Sequence, residues 1–215
     1  MNLQTLVIGH IETNCYILTD SKSGETAVID PCWLTDELKA AVDRAGGVKY
    51  ILLTHGHFDH ICGVHDLREY TGAEVAIHES DADCLFDEKK SLADGSGYPF
   101  KPVRADIVLR DGDVLELGGK EIKVMHTPGH TKGGVCFICE SDRMIFSGDT
   151  LFYSTVGRTD FEGGSCKEII ESVERLQSLD GDYDVYPGHN RSTTLERERT
   201  RNFYMRRQSR RQGSI

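Results

Sequence analysis

The sequence predicts an α/β protein in which two sheets pack face to face with helices on the outside. Three observations carry this. Short apolar strand-like runs alternate with amphipathic helical stretches. The second half repeats the order of the first, strands then helix then strand, and no linker divides the two. Clusters of histidine or aspartate recur directly after strand-like runs, where α/β proteins carry their chemistry.

Leu3 to Ile8, Cys15 to Thr19 and Thr26 to Ile29 read as strands. Thr35 caps a helix: Asp36 and Glu37 fall in its first turn, Leu38, Ala41, Val42 and Ala45 follow at helical spacing, and Gly46-Gly47 ends it. Tyr50 to Leu53 is a buried strand, followed by a polar cluster and a helix from about Cys62 to Tyr70. Ala73 to Ile77 is the next strand, Asp81 to Phe86 a short helix, and Ser91 to Pro102 a Gly/Pro loop carrying Tyr98 and Phe100. Asp106 to Leu117 and Lys120 to Met125 read as a hairpin turning at Gly118-Gly119. Val135 to Cys139 and Arg143 to Phe146 are further strands. Ser165, with Glu168 three residues on, opens a helix whose apolar stripe is Ile169, Ile170, Val173, Leu176 and Leu179. Asp184 to Tyr186 is a last strand, and Thr194 to Tyr204 a charged final helix.

At 215 residues, 38% hydrophobic and 28% charged, the chain suits a single globular domain, expected over residues 1–205. The net charge of −10 is uneven. From Arg191 onward eight arginines face two glutamates, which leaves −16 on residues 1–190. That acidic body argues against a nucleic-acid surface. Residues 206–215 (Arg206, Arg207, Arg210 and Arg211 among them) are expected to form a basic, flexible tail. No apolar run reaches the ~18 residues of a membrane span, and the N-terminus lacks the features of a signal peptide. With seven irregularly spaced cysteines, this predicts free thiols and a cytoplasmic protein. Cys136 and Cys139 fall on opposite faces of a strand, which predicts two buried thiols rather than a redox or zinc pair.

Residues 54 to 60, Thr-His-Gly-His-Phe-Asp-His, place His55, His57, Asp59 and His60 within six positions. Imidazoles and carboxylates so crowded are poor core residues, and a divalent cation turns their crowding into binding. Downstream, His130, Asp149 and His189 each follow a strand-like run and a glycine. Seven such ligands exceed the need of one tetrahedral ion and suit two, with a bridging carboxylate and a shared water. The N/O donor set without thiolate suits zinc first, with iron or manganese also fitting.

The T-H-x-H-x-D-H motif, with His130, Asp149 and His189 in order, resembles the metallo-β-lactamase-fold superfamily. The resemblance implies an αββα four-layer sandwich. It also implies one metal held by His55, His57 and His130, a second by Asp59, His60 and His189, and Asp149 bridging. Asn14-Cys-Tyr-Ile17, Val28-Ile-Asp-Pro31, Gly148-Asp-Thr-Leu-Phe152 and Gly157-Arg-Thr-Asp-Phe161 resemble short glyoxalase II-like hydrolases. This implies cleavage of a small thioester such as S-lactoylglutathione by a metal-bridging hydroxide, with Asp59 the catalytic residue that orients it. Neither nucleic acid nor membrane is an expected partner, and the chain is expected as a monomer or homodimer. Substrate contacts are expected from Arg158, Phe152 and Tyr153, and Tyr98 and Phe100 could share an apolar pocket with the latter two. Arg158 and Asp160 are expected to pair and fix the loop after Asp149. His126 reads as a strand-end residue, and His10, His65 and His78 as surface or helix residues. Three alternatives stand beside this reading. The first is a persulfide dioxygenase using one iron at His55, His130 and Asp149, against which Phe58 and the Asn-Cys-Tyr start weigh. The others are a lactonase and a non-catalytic metal-binding module.

Overall fold

A computed structural model describes residues 1–206. The first sheet contains β1 (Asn2–Ile8), β2 (Thr13–Thr19), β3 (Thr26–Ile29), β4 (Tyr50–Leu52), β5 (Glu74–His78) and β6 (Ile107–Leu109), in that spatial order. Its first three strands are antiparallel and the rest parallel. The second sheet has the order β14-β13-β10-β9-β8-β7, built from β7 (Val114–Leu117), β8 (Lys120–His126), β9 (Val135–Cys139), β10 (Met144–Gly148), β13 (Asp184–Pro187) and β14 (Thr193–Thr194). A small hairpin, β11 (Leu151–Phe152) with β12 (Thr155–Val156), follows β10.

The pleat explains the four layers, because successive side chains on a strand face opposite sides. On β2, Cys15 and Ile17 pack with Leu38, Val42, Val64 and Leu67, which belong to α1 (Asp36–Ala45) and α3 (Val64–Thr71). Tyr16 and Leu18 point the other way and meet Ile122, Val124, Phe137 and Phe146 of the second sheet. On β9 the same alternation sends Phe137 and Cys139 to the sheet–sheet core, and Cys136 and Ile138 to Val173 and Leu176 of α4 (Cys166–Gln177). The two cysteines are thus buried on opposite faces, as expected. The helix caps also hold: Thr35 accepts from Leu38 N–H, Ser165 from Glu168 N–H, and Gly46 closes α1 at φ 85°.

Three expected elements differ. Asp106 to Leu117 is not one strand but two, in different sheets. β6 ends at Leu109 against His78, the chain turns through Gly112 at φ 85°, and β7 then pairs with β8. The helix expected from Cys62 begins at Val64, after Gly63. A Cβ there would stand 2.3 Å from Pro31 O, so the entry to the helix needs glycine. A separate turn, α2 (Phe58–Ile61), carries Asp59 and His60. The final helix breaks at Asn202 into α5 (Leu195–Arg201) and α6 (Phe203–Arg206), because the Asn202 amide is drawn to Thr155 O and Glu198 Oε2. Arg206 ends α6; the rest of the expected basic tail lies outside the described residues. Among the described residues, no helix is long and apolar enough to cross a membrane.

Candidate metal centre

The seven sequence-predicted ligands come from four strand ends that share one edge of the molecule. His55 and His57 follow β4, His130 follows β8, Asp149 follows β10 and His189 follows β13. β10 and β13 run parallel with Gly148 opposite Pro187, and Gly188 N–H donates to Gly148 O at 2.8 Å, which sets Asp149 and His189 side by side. The other sheet is tied in by Asn14 N–H to Gly188 O (2.7 Å) and Val135 N–H to Thr54 O (2.8 Å). Gly188 is where close approach demands glycine: a Cβ would lie 2.3 Å from Asp149 Oδ1 and 2.7 Å from His60 Cε1. Gly129, before His130, serves packing instead, since its Cβ would strike the Ile169 backbone at 2.3 Å.

The outer ring nitrogens fix the tautomers. His130 Nδ1–H donates to Arg158 O (2.8 Å), His189 Nδ1–H to Ile11 O (3.1 Å) and His60 Nδ1–H to Asp30 Oδ2 (2.9 Å). Thr54 Oγ1 donates to Asp30 Oδ2 at 2.7 Å, so it accepts from His55 Nδ1–H at 3.1 Å. In the neutral ring each arrangement leaves Nε2 as a bare lone pair facing inward, the form a metal ion binds. Those lone pairs crowd: His60 and His189 Nε2 are 3.3 Å apart, and His130 Nε2 is 2.9 Å from His57 Nδ1. Two donors about 2.1 Å from one tetrahedral ion would stand about 3.4 Å apart. Among the described residues, buried His55 Nε2 and Asp149 Oδ1 have no hydrogen-bond partner. The potential ligand atoms gather as His55, His57 and His130; as Asp59, His60 and His189; and as His55, His60 and Asp149. The donor set and its orphaned atoms therefore fit a pair of divalent ions.

Electrostatics divide the centre. Burial and the neighbouring imidazoles push His55 well below its ordinary range and His57 down to about 3, which keeps both neutral. Burial opposes charge on His60, but Asp59 and Asp30 outweigh it and raise it to about 10. Burial likewise opposes charge on Asp59, yet His60 and His189 hold its carboxyl below the usual range. His189 is raised: burial works against it, while its hydrogen bond to Asp59 and the charge of Asp149 prevail.

Sequence reasoning left Asp30 without a role. It is 1% exposed, sits at φ 53°, and accepts from Thr54 N–H (2.8 Å), Thr54 Oγ1–H and His60 Nδ1–H, anchoring two ligands at once. The Asp-Pro step after β3 is the available signal. The Asn14-Cys-Tyr motif also gains a cause: Asn14 Nδ2 donates to Pro187 O and Asn190 O (both 2.9 Å), and Tyr16 Oη to Pro187 O (2.6 Å), clamping the turn around His189. Phe161 lies edge-on to His57 and His130, with ring centroids at 5.3 and 6.0 Å.

The expected substrate residues separate. A cavity of about 330 Å³ opens beside Asp149 and His189 and is lined by Ile11, Phe152 and Arg158. Arg158 pairs with Asp160 through two contacts of 2.6 and 2.7 Å, as expected, although both side chains are exposed. Tyr153 does not line this cavity; it is held between the guanidinium groups of Arg191 and Arg197, each 3.4 Å from its ring. Tyr98 packs on Phe58 and Trp33 and lines another cavity, and Phe100 packs against the core between the first sheet and its helices, so the four aromatics form no common pocket. His10 is exposed and His65 lies on α3 beside Asp66, as expected, and His126 ends β8. His78 does not fit the expectation: it is buried at the end of β5 and stacks on His126, with centroids 4.0 Å apart. Six cysteines are buried and Cys166 is exposed, all as thiols.

The sequence profile of the metallo-β-lactamase superfamily matches residues 8–189, nearly the whole of this arrangement. The chain belongs to the metallo-β-lactamase superfamily. It is 30% identical over 211 residues to the hydroxyacylglutathione hydrolase GloC of Haemophilus influenzae, covering 95% of this chain and 98% of that protein. Among solved structures, the BLEG-1 B3 metallo-β-lactamase superposes with a TM-score of 0.88 at 30% identity, over 95% of this chain and 99% of that one. TTHA1623, solved in a di-iron-bound form, superposes with a TM-score of 0.82 at 33% identity, over 94% and 99%. Metallo-β-lactamase-fold proteins of this kind are mostly metal-dependent hydrolases, and the αββα sandwich expected from the sequence is the fold observed.

Proposed function

We propose that this protein is a dinuclear metal hydrolase of a small thioester, of the S-lactoylglutathione type. One observation carries the reading: a single carboxylate spans both ligand groups. Asp149 Oδ2 is 3.4 Å from His130 Nε2, while Oδ1 is 3.6 Å from His60 Nε2 and 3.8 Å from His189 Nε2. His55, His57 and His130 would hold one ion and Asp59, His60 and His189 the other. A bound pair supplies a hydroxide near neutral pH and polarises a carbonyl oxygen. Asp59 Oδ2, 3.1 Å from His189 Nε2 and 3.5 Å from Thr13 Oγ1, stands where it can orient that nucleophile. Phe152 and Ile11 give the adjoining cavity an apolar wall, and Arg158 its cationic edge. The likeness to GloC supports a glutathione thioester as substrate. A one-iron centre at His55, His130 and Asp149 would leave Asp59, His60 and His189 assembled without use, which favours two ions.

The test is elemental analysis of the purified protein with parallel assays on S-lactoylglutathione, an acyl-homoserine lactone, a β-lactam, and glutathione persulfide with oxygen uptake. The expected result is two ions per chain, zinc predominating, and thioester turnover that H57A and D149A abolish. Full activity of either variant after metal removal, or oxygen uptake as the main activity, overturns the reading.

A further inference from the structure

Four of the five centre histidines have their outer nitrogen fixed by the protein, and His57 is the exception. Its Nδ1 faces His130, and its Nε2 meets no protein partner among the described residues. His57 also lines a cavity of about 370 Å³, separate from the one beside Arg158. Thr131 lines the same cavity; it is only 6% exposed, and its Oγ1 has no hydrogen-bond partner. The charges around this cavity are partly spent. Asp81 accepts from Gly56 N–H (3.0 Å) and Gly133 N–H (2.7 Å), and Asp83 is paired with Lys90. Lys89 and Lys132 also line it and form no ion pair among the described residues, and Glu162 is an exposed lining residue. The lining thus balances three carboxylates against three ammoniums, and the Thr131 hydroxyl, the His57 Nε2, Lys89, Lys132 and the solvated Glu162 are its groups that no protein partner engages among the described residues.

We propose that this cavity binds an oxyanion, a carboxylate or phosphate group, held by His57 Nε2–H and Thr131 Oγ1–H with Lys89 and Lys132 as its counter-charge. The inference rests on the two-ion reading above, with His57 facing its ion through Nδ1, the nitrogen 2.9 Å from His130 Nε2, because that places the ring proton on Nε2. The bound anion would then do for His57 what Asp30 does for His60, orienting the ring and raising its basicity. The anion has two available sources: a carboxylate on the acyl arm of the substrate, or a free anion acting beside it.

Calorimetry with the metal-loaded protein tests the site using succinate and inorganic phosphate as probes. Saturable binding is expected, weakened about tenfold or more in K89M/K132M and in T131V, and unchanged in K22M, which removes an exposed charge before β3, at the end of that strand away from Asp30. A second arm compares succinyl and butyryl thioesters of one thiol. A KM preference for the succinyl compound that K89M/K132M erases assigns the site to the acyl arm; free-anion binding without that preference assigns it to a separate anion. Binding that K89M/K132M and T131V leave intact lies at the metals and overturns the proposal, as does an absence of saturable binding with no succinyl preference. If the double variant does not fold, K89Q and K132Q carry the comparison singly. Because the calorimetric arm needs no turnover, its failure is distinguishable from failure of the thioesterase reading.

Discussion

Asp30→Asn isolates what one buried carboxylate contributes to the centre. The carboxylate accepts three hydrogen bonds, at 2.8 Å from Thr54 N–H, 2.7 Å from Thr54 Oγ1–H and 2.9 Å from His60 Nδ1–H. An amide of the same shape can keep the first through its oxygen, but its NH₂ then faces two donors. Thr54 Oγ1–H can rotate; His60 Nδ1–H cannot. His60 must lose this bond or move its proton to Nε2, the nitrogen that faces His189 and Asp149. A lost charge-assisted bond in a buried site costs about 1.5–3 kcal/mol, or about 10- to 100-fold in an equilibrium constant. That agrees with the 10–100-fold loss of metal affinity typical when a ligand's outer partner is removed, about the same span. The loss should fall on the ion held by Asp59, His60 and His189, since His55 keeps its bond to Thr54. Competitive chelator titration of D30N, read by elemental analysis, should show one site near wild-type affinity and one weakened by about that factor. If D30N retains both ions with unchanged affinity, Asp30 does not set the orientation of His60.

Three further outcomes follow from the same structure. Gly188→Ala places a Cβ 2.3 Å from Asp149 Oδ1, so it should lose bound metal and thioester turnover while costing only about 1–3 kcal/mol in urea unfolding. Phe137→Ala, at the centre of the sheet–sheet core and 0% exposed, should cost about 3–5 kcal/mol by the same measurement, leaving metal stoichiometry intact in the folded fraction. Burial raises the Cys32, Cys62, Cys84 and Cys139 thiols to about 12 and Cys136 to about 11, so at pH 8 a thiol reagent should titrate Cys166 alone of the seven until denaturant is added.

The candidate ligands were legible in the sequence because a metal site would write itself in residue types that packing rarely selects. His55, His57, Asp59 and His60 announced themselves by density, and His130, Asp149 and His189 by their place after strand and glycine. Thr35 and Ser165 were legible because a cap is a local event with a local chemistry. What remained hidden depended on partners far along the chain. Asp30 is a lone carboxylate after a strand, and only the folded register brings it to Thr54 and His60, 24 and 30 residues on. His78 shows no pattern locally, because its stacking partner His126 comes from the other sheet. Residues 106–117 alternate like one strand, and nothing local says that the Gly112 turn hands the chain from one sheet to the other. Tyr153 looked like a neighbour of Phe152 in a pocket, but two arginines from beyond residue 190 claim its ring.

The division of labour within the centre follows from which partners were available at each strand end. Backbone carbonyls hold the outer nitrogens of His130 and His189, whereas a buried carboxylate holds that of His60 and, through Thr54, that of His55. A carbonyl fixes the tautomer and adds no net charge; a carboxylate fixes it and brings a full negative charge into the dry interior. Asp30, Asp59 and Asp149 together therefore surround His60 with three carboxylates, and among the described residues no Lys or Arg pairs with any of them. A proton on His60 compensates part of this charge, and a divalent ion compensates it better because it can face Asp59, His60 and His189 at once. The ions would thus be structural counter-charges as well as reagents, and the second group would gain more from its ion than the first, whose His55 and His57 already rest neutral.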